Sequence, residues 1–217
     1  CPAEVGPGAA VPARSTGPRP AAILEPMAES AKEMSLPEYL ALDEASELRH
    51  EYLNGAVVAM AGASPRHNVV VSNLARLVGN GLVEGPCTVF DAGQRVQVAE
   101  TGAYVYPDLV VTGERPAFSD ERPRSLTNPR LVVEVLSKST RETDEGAKVG
   151  HYRRLPTVQE ILLVDSQSRR AALYRRLEGG DWLLKGLVEG TIPLASVGVE
   201  LRFDDVYAKT DALPRDE

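Results

Sequence analysis

The sequence predicts an α/β fold, and three observations carry that prediction. Residues 131–136 (Leu131, Val132, Val133, Val135 and Leu136 around Glu134) and 161–164 (Ile161, Leu162, Leu163, Val164) are apolar runs of strand length, the pattern of interior strands. Between His67 and Val78, apolar Val70, Val71, Leu74, Leu77 and Val78 recur at helical spacing, which makes an amphipathic helix. Asn54-Gly55, between residues 51–53 and 56–60, marks a tight hairpin, because both residues tolerate the positive φ of a type I′ turn.

The chain has 217 residues, 43% of them apolar, enough for one domain with a substantial core. Residues 1–26 are rich in Pro, Gly and Ala without apolar period and read as a disordered or extended segment, with the natural start expected at Met27 and a single domain over 27–217. Absence of a long apolar stretch predicts no membrane span, and absence of a signal-peptide pattern predicts a cytoplasmic protein. A net charge of −7 argues against non-specific coating of nucleic acid while leaving room for a local basic cleft. Cys1 and Cys87 match neither a disulfide framework nor a zinc-site spacing.

In chain order, Ser35-Leu36-Pro37-Glu38 has the form of a capping box, so a helix is expected over 36–45 with Leu36, Tyr39, Leu40 and Leu42 buried. The 51–60 hairpin and a loop over 61–65 follow. The helix from His67 should end at Gly79 and Gly81. Residues 87–90 and 94–98 read as a hairpin about Asp91-Ala92-Gly93, and 104–111 as a strand with an irregularity at Pro107. Pro116, Pro123 and Pro129 make 114–130 a loop before the strand at 131–136. Residues 143–155 read as a helix stopped by Leu155-Pro156, with Asp144, Lys148 and Tyr152 four apart. After the strand at 161–164 come a hairpin of 170–176 and 182–188, a short strand at 199–203 and a terminal turn of helix.

Glu134 stands in the middle of an apolar strand, where an ionised carboxylate needs a partner. Asp108, at the start of a neighbouring strand, would bring a second carboxylate beside it. Such an oxygen-rich pair suits a hard cation, Mg2+ or Mn2+, whose bound water can attack a phosphodiester. Strand alternation puts Leu136 where a cationic side chain would face that ion, so Lys148, on the next helix, is the candidate to return over the strand end. Each residue has a plainer role: Asp108 as a turn residue, Glu134 as a structural acid, Lys148 as a surface partner of Asp144 or Glu145. His67 reads as a phosphate contact, a peripheral acid/base group or a helix-start cap, and Glu51 as a further carboxylate or a pairing across the hairpin.

Tyr106-Pro107-Asp108, residues 131–137, Asp144…Lys148…Tyr152 and residues 161–165 resemble the Uma-two family of restriction-endonuclease-like proteins, within the PD-(D/E)XK nuclease superfamily. The resemblance covers roughly residues 35–203. It implies a restriction-endonuclease-like α/β core, a mixed sheet flanked by helices with added hairpins. It also implies Mg2+ or Mn2+ held by Asp108, Glu134 and the Val135 backbone carbonyl. A metal-dependent endonuclease acting on DNA follows from it, with a homodimer as the natural arrangement for cutting two strands. Leu136 departs from the superfamily pattern, which has Lys there, and Lys148 matches the Lys that family members carry in the next helix. The alternatives are a catalytically inactive nuclease-like fold that binds nucleic acid or protein, and a plain assembly protein.

Overall fold

The computed structural model describes residues 32–60, 62–137 and 144–215. The segment 1–26 and residue 143, the first of an expected helix, lie outside them. In chain order the elements are β1 (Lys32–Glu33), α1 (Leu36–Ala45), β2 (His50–Leu53), β3 (Ala56–Ala59), α2 (Pro65–Leu82), β4 (Thr88–Asp91), β5 (Val96–Val98), β6 (Ala103–Val105), β7 (Leu109–Thr112) and β8 (Pro129–Leu136). A π-helical turn (Asp144–Lys148) then leads into α3 (Val149–Arg154), β9 (Glu160–Asp165), β10 (Ala171–Arg176), β11 (Trp182–Leu187), β12 (Thr191–Leu194), β13 (Val199–Arg202) and α4 (Phe203–Val206). Among the described residues no helix is long and apolar enough to cross a membrane.

A six-stranded mixed sheet runs β11-β10-β9-β8-β7-β4, with β8 and β9 parallel and every other pair antiparallel. The connection through α3 is what the parallel pair requires. β8 alternates: Leu131, Val133 and Val135 pack with Val70, Leu74 and Val78 of α2, while Val132 and Leu136 face a second core with Val96, Val98 and Val105 of a five-stranded sheet (β1-β3-β2-β6-β5) and Tyr152 of α3. Glu134 takes the middle position on that second face and is 2% exposed. The Asn54-Gly55 turn has positive φ at both residues, 52° and 88°, as the hairpin reading requires.

Several expectations change. The capping box closes as predicted, Ser35 N–H donating to Glu38 Oε2 at 3.0 Å; of the four side chains expected to be buried Tyr39 is, while Leu36, Leu40 and Leu42 are only half-buried and Asp43 joins Tyr39 inside. Asp43 is tolerated there because it accepts from Tyr106 Oη at 2.6 Å and pairs with the buried Arg95 at 2.8 Å. Helix α2 runs through Gly79 and Gly81 to Leu82; a Cβ built on Gly81 would lie 2.9 Å from Val199 Cγ2, so that glycine serves packing, not termination. β4 and β5 are no hairpin: the Asp91-Ala92-Gly93 turn sends β4 against β7 in one sheet and β5 against β6 in the other. The single strand expected at 104–111 is two, β6 and β7, in different sheets, parted at Tyr106-Pro107-Asp108. Proline has no N–H for a ladder, so pairing breaks at that point. β1 and β12 are strands that the sequence pattern does not predict; the latter pairs with β13 over the α2 side of the core.

Candidate active site

The break at Pro107 positions Asp108. The β7/β8 ladder stops at Leu109↔Val133, and the Asp108 carboxylate takes up the next β8 donor, accepting Val135 N–H at 2.7 Å. Asp108 and Glu134 therefore stand at the same end of adjacent strands, as the sequence spacing suggested.

Glu134 has two donors on one oxygen. Tyr152 Oη donates to Glu134 Oε1 at 2.5 Å, and Lys148 Nζ lies 3.0 Å from the same atom. Lys148 is 4% exposed and also reaches Glu51 Oε1 at 2.8 Å and Asp144 Oδ1 at 3.2 Å. It is thus no surface partner of Asp144: the π-helical turn aims both side chains inward, a device found often where a helix enters a functional site. Glu51 sits opposite Val58 in the β2/β3 register, so it pairs with no charge across the hairpin; it turns into the cluster with Leu53's side of β2 and accepts Tyr106 N–H at 2.9 Å. Leu136 packs in the second core.

Three carboxylates around one ammonium leave excess negative charge in a dry place. Burial pushes Glu134 up, Lys148 pulls it down, and Asp144, Asp108 and Glu51 push it up further, to about 8. For Lys148, burial lowers the pKa but Glu134, Glu51 and Asp144 outweigh it, holding the ammonium charged well above its ordinary range. Burial and the same acids raise the Tyr152 phenol, keeping it a donor.

His67, in the first turn of α2, approaches from the other side, its Nε2 3.4 Å from Asp108 Oδ2. Burial would lower its pKa, yet Asp108, the Val135 carbonyl and Asp144 together hold it above the ordinary value. Asp108 and the Val135 carbonyl are two of the three groups expected to hold a cation, and the ring stands beside the first of them. A carboxylate and a backbone carbonyl are oxygen donors, the chemistry that a hard dication takes. Among the described residues no three His, Cys, Asp or Glu side chains are arranged as a ligand set; the position among Glu51, Glu134 and Asp144 is filled by the Lys148 ammonium.

Asp144 and Tyr152 join the site beyond the residues the sequence predicts for it, and their four-residue spacing about Lys148 is the signal the sequence offers for them. Tyr106 N–H, which ties Glu51 to the Asp108 turn, had none.

Residues 36–204 match the Uma2 family, described as "Putative restriction endonuclease". Two Synechocystis proteins are similar: uncharacterized protein sll1609, 35% identical over 159 residues (73% of this chain, 90% of that protein), and uncharacterized protein slr1290, 36% identical over 179 residues (80% and 91%). A solved structure from Anabaena variabilis, described as "a putative nuclease belonging to DUF820", superposes with a TM-score of 0.67 at 18% identity, covering 82% of this chain and 99% of that one. At that identity the likeness establishes a shared, nuclease-like fold.

Proposed function

This chain belongs to the Uma2 family, and from that premise we propose that it is a metal-dependent endonuclease hydrolysing phosphodiester bonds of DNA. The observation that carries the reading is the buried Lys148 ammonium 3.0 Å from Glu134, brought from a separate element to the strand end where Asp108 stands. Asp108, Glu134 and the Val135 carbonyl would hold Mg2+ or Mn2+. When bound, that ion would supply a more acidic water and offset charge on the phosphoryl oxygens. Lys148 contributes a fixed positive charge beside the same oxygens, suited to stabilising the negative charge that develops in phosphoryl transfer. Tyr152 pins the Glu134 carboxylate, and Glu51 joins Lys148 to Tyr106 N–H, so the Lys and the Asp108 turn are held in register. Cutting both strands of a duplex would take two copies, a homodimer measurable by sedimentation.

Supercoiled plasmid incubated with the purified chain and Mg2+ or Mn2+ tests the reading. Relaxation or linearisation should depend on the ion and disappear in Asp108→Ala and Glu134→Ala; cleavage that survives both changes would place the activity elsewhere. A parallel RNA substrate decides the nucleic acid.

A second reading has one observation behind it. An ammonium has three donors, and Lys148 has three carboxylate partners, which is also how a purely structural lock would look. On that reading the fold is an inactive module that binds nucleic acid or protein, and calorimetric titration with millimolar Mn2+ gives no binding heat.

A further inference from the structure

His67 is placed in a way that its structural duties do not explain. Its part in capping α2 is played by the backbone, whose N–H donates to Ser64 Oγ at 3.3 Å. The side chain is only 13% exposed, and its Nδ1 is buried without a hydrogen-bond partner among the described residues. A core histidine retained for packing normally satisfies both ring nitrogens. This ring instead commits one nitrogen, Nε2, to the Asp108 carboxylate, which itself accepts the Val135 N–H.

The spacing has a chemical meaning. Two donors in adjacent positions about an ion, each bonded at roughly 2.1 Å, lie about 3 Å apart. Nε2 and Asp108 Oδ2 are 3.4 Å apart, so a small adjustment brings both onto one cation. Resting on the cation-site reading above, we propose that His67 Nε2 is a direct ligand of the ion held by Asp108 and the Val135 carbonyl, so that the site selects a dication that accepts imidazole, such as Mn2+, over Mg2+. Imidazole suits the first-row transition metals, whereas Mg2+ keeps to oxygen donors and water. Asp108 and Val135 are fixed by the β7/β8 ladder and His67 by the first turn of α2, so the ligands come from opposite sides of one strand end and the preference is built into the fold.

The test uses the full chain, stripped of divalent ions and labelled with 15N-histidine, and reads Mn2+ directly. Electron spin-echo spectra of the Mn2+ complex should show coupling to a histidine nitrogen. The coupling should be absent from His67→Ala, with Mn2+ affinity in calorimetry down at least ~10-fold and Mg2+ affinity changed less. His50→Ala and His151→Ala should retain the coupling, which excludes the other two histidines. Since the wild-type spectrum needs no variant, poor folding of His67→Ala, checked by its thermal melt, does not block the experiment. Mn2+ bound with no nitrogen coupling would overturn the role of His67 and leave the cation site standing. No Mn2+ binding by the wild-type chain would overturn the cation site itself, and this inference with it.

Discussion

Lys148 carries one positive charge into a cluster to which Glu51, Glu134 and Asp144 bring three carboxylates. Lys148→Met should therefore cost about 3–5 kcal/mol in urea denaturation, because the acids it leaves behind are buried and unpaired; a loss under ~1 kcal/mol would mean the cluster replaces the ammonium without difficulty. Glu134 gives the site a pH signature. Its pKa in the fold, about 8, lies above the ordinary 4.5, so its contribution to stability is present in full below 4.5 and is lost as pH rises through about 8. Melting temperature in EDTA should fall along that limb in the wild type and fall less in Glu134→Gln; identical limbs would assign the titration to another group. Asp108, Glu134 and Lys148 could be picked out in the sequence because their residue types conflict with, or punctuate, apolar strands and a helix. His67 could be named but not placed: its approach to Asp108 joins segments that only the packed fold brings together.

At the scale of the element, α2 shows a stop signal overruled by packing. Its buried stripe of Arg66, Val70, Leu74, Val78 and Leu82 continues at four-residue spacing through two glycines. Arg66 can lead that stripe because its guanidinium donates to the Ser166 and Thr210 carbonyls, each at 3.0 Å. Gly81→Ala should gain about 1 kcal/mol of helix propensity but lose ~1–3 kcal/mol to the clash with Val199. The net expectation is destabilisation of about 1 kcal/mol in chemical denaturation, relieved when Val199→Ala is added. A stabilised single variant would show that β13 yields at no cost. Glycine usually marks a helix end, but at Gly81 it answers a close approach between elements, which leaves no local trace in the sequence. Local turn chemistry did specify the Asn54-Gly55 hairpin and the Ser35 capping box, where the interacting residues are sequence neighbours.

For the whole molecule, the sheet order makes a prediction about opening. β8 and β9 lie inside the six-stranded sheet between two apolar cores, whereas β11 and β1 are edge strands. Amide exchange should be slowest in β8 and β9 and faster by orders of magnitude in β11, at the edge of the same sheet, and β1, at the edge of the other; comparable protection in all four strands would argue that the molecule opens only as a unit. The α/β class and the two interior strands could be read from continuous apolar runs. The division into two sheets could not, because β4 and β5 look like a hairpin in sequence, and only pairing partners distant along the chain separate them. The Tyr106-Pro107-Asp108 passage between those sheets has a mechanical consequence. Asp108 lies three residues after β6 ends at Val105 and one before β7 begins at Leu109, and Glu51 of the far sheet grips the Tyr106 N–H in that passage. The Asp108 turn and the Lys148 cluster thus share one anchor, Glu51, which accepts the Tyr106 N–H on one side and holds the ammonium on the other.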